Sequence, residues 1–258
     1  MATFLFDKII FGPIKSRRLG SSLGINLLPN DSKLCSFDCI YCECGWNTPG
    51  ARKVFHPREE VKARLREKLE ELGSQNSLPD VITFAGNGEP TMHPEFDGII
   101  DDTIALRDTL SPKTKIAVLS NATLIGREKV FNALKKVDQN ILKLDSAFEE
   151  TVRLLNNPQG EYSTAVLVER LKKFEGNLTI QTLFVRGSYN GQTVDNTTPA
   201  ELDAWMKLLA EIKPKELMVY TIARDTPAPD LVKVPEKELR AIAETVKQTL
   251  GIPVQVSA

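Results

Sequence analysis

The chain is short of several things, and each shortage excludes something. It has four cysteines in 258 residues, all within positions 35–44. Thiols gathered in one stretch cannot staple distant parts of a fold, so a disulfide framework is excluded. It has two histidines, His56 and His93, each followed by a proline and each read as a cap or packing residue rather than a metal ligand. It lacks a charge excess: Lys and Arg number 33 against 34 Asp and Glu, a net charge of -1. The total does not advertise a nucleic-acid surface, although a local basic patch is compatible with it. No stretch approaches the length of a membrane span, and residues 1–8 hold no apolar run of signal-peptide length. The expectation is a cytoplasmic protein in a reducing compartment, with no membrane partner. No linker, low-complexity tract or repeat interrupts the chain, so one domain over 1–258 is expected, its core elements at about 22–250. The dinucleotide fingerprint G-x-G-x-x-G is also absent.

What is present is a cluster of thiols. Cys35-Ser36-Phe37-Asp38-Cys39-Ile40-Tyr41-Cys42 spaces three cysteines as C-x3-C-x2-C. Three thiols this close can wrap one corner of a [4Fe–4S] cube, which normally takes four thiolates. One iron is then left open, and an open metal position marks a reactive site. Cys44 keeps a zinc site, and with it a zinc- or cluster-stabilised binding module, in view. Structural zinc sites usually pair two knuckles from separate segments, however, and Cys42-Glu43-Cys44 is too tight for a second knuckle.

The remaining chain alternates between two periodicities. Period-2 or wholly apolar runs at 22–28, 81–85, 115–119, 140–144, 178–185 and 216–222 predict strands. Amphipathic stretches at 57–72, 94–110, 127–137, 162–174, 198–212 and 235–250 predict helices. Gly73 and Gly251 are read as stops, and Thr198-Pro199-Ala200-Glu201 as a capping box. Residues 11–20 read as irregular, with Arg17 and Arg18 either in a solvated turn or reaching an anionic group. Six strand–helix pairs imply a parallel sheet, and either a barrel or an open doubly wound sheet accommodates them.

With Tyr41 just before the last cysteine, the motif resembles the signature of the radical S-adenosylmethionine (radical SAM) enzymes. The resemblance implies an α/β fold of the partial (β/α)6 TIM-type barrel kind, with the cluster loop after the first strand. It implies a [4Fe–4S] cluster held by Cys35, Cys39 and Cys42, with S-adenosylmethionine (SAM) chelating the open iron. It also implies one-electron cleavage of SAM to a 5′-deoxyadenosyl radical, and hence a flavodoxin- or ferredoxin-like reductant. Gly86-Asn87-Gly88-Glu89-Pro90 looks like the family's Gly-Gly-Glu-Pro motif, with Asn87 where the first paired glycine would stand. Read alone it is a glycine-rich turn with an exposed acid. Read as the family's motif, its backbone and Glu89 seat the amino end of SAM, while Tyr41 lies close to the adenine.

Further polar residues fall at strand ends. Ser120 and Asn121 suit ribose hydroxyls or a carboxylate, or equally a helix-capping turn. Lys143 and Asp145 share one face of a strand, where they bind a ligand or pair with each other, and Ser146 follows. Gln181 and Arg224 complete the candidate cofactor-binding set. Thr91 or His93 is expected to cap the helix that follows. Ser16-Arg17-Arg18-Leu19-Gly20 and the Gly-Asn-Gly-Glu-Pro-Thr run resemble the branch containing wyosine-type tRNA-modifying enzymes, which carry extra cysteines that this chain lacks. The substrate is left open among tRNA, a peptide, a glycyl-radical enzyme and a small molecule.

Overall fold

In a computed structural model, which describes residues 4–50 and 54–258, the alternation becomes a curled eight-stranded sheet. Its spatial order is β1 (Ile10–Ser16), β2 (Gly20–Ile25), β3 (Val81–Phe84), β4 (Lys115–Ser120), β5 (Gln139–Lys143), β6 (Thr179–Leu183), β9 (Glu216–Tyr220) and β11 (Val254–Ser257). All neighbours pair in parallel except β1 and β2, which form an antiparallel hairpin with a register shift between Phe11 and Ile14. This is the partial barrel implied by the resemblance. Its six expected strands are β2–β6 and β9, and β11 is added at one edge. The edges approach where Gln255 of β11 donates to the Arg18 carbonyl at 2.9 Å.

Helices cover the outside: α1 (Arg58–Ser74), α2 (Phe96–Leu110), α3 (Glu128–Leu134), α4 (Glu149–Asn156), α5 (Thr164–Lys172), α6 (Pro199–Ile212) and α7 (Glu236–Leu250). Helix α1 shows why. Val61, Leu65, Leu69 and Leu72 recur at one to three turns, and all four are buried against the sheet. Each such side chain contributes about 1.5–3 kcal/mol on leaving water. Thr198 caps α6 as the sequence predicts, accepting from the Glu201 amide at 3.3 Å. The box is only half made, because the Glu201 carboxylate turns away to accept from Ser146 and Thr151.

Several expectations need correction. Residues 11–20 are not irregular: most of them form β1 and the start of β2. Gly73 lies inside the last turn of α1, where Gln75 is the C-cap; Gly251 does terminate α7, at φ 69°. Helix α2 has Glu95 at its N-cap, not Thr91 or His93, although His93 Nδ1 accepts from the Glu95 amide at 3.1 Å. His93 also packs its ring on Phe55 and bonds the His56 carbonyl, so it is a packing residue. A second, three-stranded antiparallel sheet of β7 (Val185–Tyr189), β8 (Gln192–Asp195) and β10 (Leu231–Lys233) was not anticipated, nor were α4 and β11. The β7–β8 turn is Asn190-Gly191, both at positive φ, the conformation that makes Asn-Gly a favoured two-residue hairpin loop.

Candidate active site

The thiols lie on the loop after β2, which is anchored from several sides. Leu34 forms an isolated parallel bridge to Gly88: its amide donates to the Asn87 carbonyl at 2.8 Å, and its own carbonyl accepts from the Glu89 amide at 3.1 Å. Gly88 sits at φ +137°, and a Cβ there would meet the Leu34 oxygen at 1.8 Å, so only glycine fits. Behind the loop, Lys33 is 3% exposed and donates to Asp38 at 3.0 Å and to the Gly45 carbonyl at 2.9 Å. Asp38 also accepts from the Asn47 amide, and the Asn47 side chain brackets Cys35 and Phe37.

The loop presents its sulfurs to one cavity of about 580 Å³, lined by Cys35, Cys39, Cys42 and Cys44 together with Glu89. All four thiols are free. Sulfur acceptors are already served: Cys35 Sγ accepts from the Phe37 amide at 3.4 Å and from Asn121 Nδ2 at 3.5 Å, and Cys39 Sγ accepts from Asn156 Nδ2 at 3.5 Å. Burial pushes the Cys35 and Cys39 thiols up, against the pull of Lys33 and, at Cys39, of Lys143. A hydrogen bond from Cys44, aided by Lys33, brings Cys42 down to about 6. Cys44 keeps the proton of that pair, and its single S–H lies between Cys42 and the Gly86 carbonyl, 3.4 Å from its sulfur. Burial disfavours the Lys33 charge, but the Cys42, Cys35 and Cys39 sulfurs outweigh it and raise its pKa. Among the described residues no three thiol, imidazole or carboxylate groups gather closely enough to hold a single metal ion, as a tetrahedral zinc site requires. Buried Cys39 and half-buried Cys35 and Cys42 face one cavity, with N–H donors at Cys35 and Cys39 and a fixed ammonium behind them, and this fits a polynuclear cluster better.

Glu89, 2% exposed, stands beside them. Oε1 accepts from the Thr91 amide at 3.1 Å, the Thr91 hydroxyl and Ser120 Oγ at 2.8 Å, and Oε2 accepts from the Asn121 amide at 2.7 Å. Burial raises its pKa and these four donors oppose the rise. Ser120 and Asn121 therefore orient Glu89 as well as lining the cavity, and Asn121 Nδ2 reaches Ser36 at 2.9 Å. Asn87 is different. It is wholly buried and faces away, its side chain bonded to both backbone groups of Phe6 and to the Pro29 carbonyl. Gly86 and Gly88 line the cavity on either side of it.

Opposite, Lys143 and Asp145 do share a face, but only Lys143 lines the cavity; Asp145 is buried behind it. Lys143 Nζ is 3.3 Å from Asp145 Oδ2 and donates to Tyr41 Oη at 3.0 Å and Tyr220 Oη at 3.3 Å. Tyr41 donates to Asp145, which also accepts from Asn156 Nδ2 and the Leu183 amide. Both tyrosine and lysine are shifted up: burial leads at Tyr41, joined by the Asp145 charge, whereas at Lys143 the Asp145 charge overcomes burial. Gln181 lines the cavity and Arg224 its rim, where it pairs with Glu43 at 2.7 Å. Ser146 is not brought in: it is fully buried, donates to Glu201 at 2.6 Å and accepts from the Phe148 amide.

Sequence reasoning passed over Lys33, Asp38, Asn47, Asn156 and Tyr220. Lys33 and Asp38 carried no signal, being ordinary residues of a polar loop. Asn156 could have been found, since Val152 and Leu155 ahead of it are three residues apart and are the buried face of α4.

Comparison with known proteins agrees with this arrangement. A family profile described as the radical SAM superfamily matches residues 30–190. A UPF0026 protein of Methanocaldococcus jannaschii is 31% identical over 238 residues, covering 90% of this chain and 68% of the relative. A Brachyspira hyodysenteriae protein named GTPase Obg is 28% identical over 258 residues, but the chain spans only 35% of it. Among solved structures, a radical SAM methyltransferase from Sphaerobacter thermophilus superposes with TM-score 0.67 at 14% identity, over 92% of this chain and 66% of that one. TYW1 with a lysine-pyruvate adduct superposes with TM-score 0.61 at 13% identity, over 88% and 73%; at such identities the likeness is one of fold. The chain belongs to the radical SAM superfamily, and to the UPF0026 family: it is an iron–sulfur enzyme whose cofactors are a [4Fe–4S] cluster and SAM.

Proposed function

We propose that the chain uses SAM-derived radical chemistry to abstract hydrogen from a small-molecule substrate held within the barrel. The observation that carries this is the sharing of one cavity by three free thiols and a Glu89 carboxylate fixed by four donors. Cys35, Cys39 and Cys42 would hold the cluster, and Gly86, Gly88 and Glu89 the methionyl end of SAM. When bound, the pair supplies one-electron cleavage of SAM to methionine and a 5′-deoxyadenosyl radical.

The chain's own residues bind and orient. Glu89 accepts from an ammonium group, and Thr91, Ser120 and Asn121 hold its oxygens in place so that little is reorganised on binding. Tyr41 would lie against the nucleoside, and Asp145, whose oxygens are taken by Tyr41, Asn156, Leu183 and Lys143, fixes Tyr41 and Lys143 in the cavity wall. Phe37, Tyr41 and Leu183 give the cavity an apolar wall that keeps water away from a reactive species. The room that the two cofactors would leave in a cavity of about 580 Å³ suits a small molecule, and the balanced net charge of -1 disfavours tRNA. A flavodoxin- or ferredoxin-like protein in the cytoplasm is the proposed electron donor. No helix of the described residues is long and apolar enough to cross a membrane.

The test is anaerobic reconstitution with iron and sulfide, reduction with dithionite, and assay of 5′-deoxyadenosine after SAM is added. Wild type is expected to form it and Cys39→Ala to form none. A wild type that assembles its cluster yet neither binds nor cleaves SAM would refute the proposal.

A further inference from the structure

Below the thiols the barrel interior has two layers. The lower is apolar: Val81, Ala117, Ile141 and Met218, from β3, β4, β5 and β9, close on Leu19 of the β1–β2 turn. The upper is polar, and most of it is satisfied internally. Ser22 and Thr83 bond each other at 2.7 Å, and Lys143 has the partners described above. Two groups are left over. Arg18 Nη1 and Gln181 Nε2 are buried without a hydrogen-bond partner among the described residues, and both side chains line the cavity. Gln181 is 7% exposed, and strand register places it beside Lys143 on one side and Met218 on the other. The Arg18 guanidinium lies 4.6 Å from the centre of the Tyr220 ring, whose hydroxyl accepts from Lys143.

A buried donor without a partner is costly, and a guanidinium more so. The carboxylates around the cavity do not relieve this. Glu43 is taken by Arg224 on the rim, and none of the four donors on Glu89 is Arg18 or Gln181. Asp145 is taken by Tyr41, Asn156, Leu183 and Lys143. The floor therefore offers an arginine N–H and an amide N–H, with the Lys143 charge close by, to something that is not part of the chain. Those are the donors of an oxyanion site, and one guanidinium N–H beside one amide N–H matches the two oxygens of a carboxylate. The site lies against β5, β6 and β9, across the barrel from Glu89 on the β3 side.

We infer that Arg18 and Gln181, with Lys143 beside them, seat an oxyanion of the substrate, a carboxylate in preference to a phosphate; the word substrate here rests on the function proposed above. The seat fixes the substrate's anionic end on the barrel floor and leaves its other end directed toward the thiols.

Equilibrium dialysis of the anaerobically reconstituted protein tests this, with ¹⁴C-propionate and ³²P-phosphate as probes, each with and without saturating SAM. Wild type is expected to bind propionate more tightly than phosphate, and to keep it when SAM is present. Tighter binding of phosphate would support the oxyanion floor and assign it to a phosphate ester. Arg18→Gln should weaken binding about tenfold or more, Arg18→Lys less than that, and Gln181→Leu several-fold. Three results would overturn the inference: neither anion binding, unchanged affinity in both Arg18→Gln and Gln181→Leu, or displacement of the anion by SAM, which would make the floor part of the cofactor seat. SAM binding measured in the same cells separates the two proposals. Intact SAM binding and cleavage without anion binding sinks only this one, and anion binding without SAM binding or cleavage sinks only the function proposed above.

Discussion

Replacing Asn87 with glycine would restore the paired glycine of the family's motif, and the structure predicts that it would damage the protein. Asn87 is wholly buried, and its φ is not in the left-handed region, so asparagine sits there without strain. Its side chain accepts from the Phe6 amide at 2.8 Å and donates to the Phe6 and Pro29 carbonyls at 2.9 and 2.7 Å. It thereby clasps the N-terminal segment and the entrance of the cysteine loop to the end of β3. Three hydrogen bonds, one buried and two half-buried, at about 1 kcal/mol each give a loss of about 3 kcal/mol. The extra backbone freedom of glycine adds about 0.5–1 kcal/mol. Urea unfolding of the metal-free protein, followed by far-UV circular dichroism, should show Asn87→Gly less stable by about 3–4 kcal/mol at unchanged m-value. Asn87→Asp keeps the shape but turns a carboxylate on two carbonyls, and should lose at least as much. The Glu89 contacts do not pass through Asn87, so the glycine variant that remains folded should still bind SAM. A change below about 1 kcal/mol in Asn87→Gly would refute the clasp.

Other expectations follow from the same contacts. Lys33→Met strands Asp38 behind the cysteine loop, where the pair's side chains are 1% and 14% exposed. It should cost about 3 kcal/mol in the same unfolding assay, and Lys33→Met with Asp38→Asn should recover part of that. Cys44→Ala should leave iron content unchanged, since the Cys44 thiol keeps its proton and shares it with neighbours rather than offering a thiolate; loss of iron would show a fourth ligand. Asp102 is held below the usual carboxylate range by hydrogen bonding to Arg58 and, beyond that, by Lys62. The stability it contributes is present above the unfolded value of about 3.9 and is lost as pH falls through the lower folded one. Asp102→Asn should therefore flatten the acid limb of the stability–pH curve and leave its neutral shape alone.

The barrel was legible because its elements speak in period. Each of the six expected strands is found, and the α1 stripe is the buried face of that helix. The missed elements are short or speak through turns. Helix α4 has only two apolar residues among its buried positions, Val152 and Leu155. Strand β11 has four residues, too few for alternation to declare itself. The β7–β8 hairpin is announced by Asn190-Gly191 rather than by its strands. The motif residues of the site were legible because cluster chemistry dictates their types and spacing. What the sequence conceals is the support. Whether Asn87 faces a ligand or clasps Phe6, and whether Lys143 meets a ligand or Asp145, depends on contacts across about 80 and 2 residues respectively. Arg18 reads equally as a solvated turn residue; only the folding of β1 against β2 carries it inside the barrel.

The central claim is that Cys35, Cys39 and Cys42 hold a [4Fe–4S] cluster. Iron, acid-labile sulfide and zinc, measured together in anaerobically purified wild type and Cys39→Ala, test it most directly. The account predicts about four iron and four sulfide per chain in wild type, no stoichiometric zinc, and loss of both iron and sulfide in Cys39→Ala. One zinc per chain without sulfide, retained by a site that includes Cys44, would contradict it.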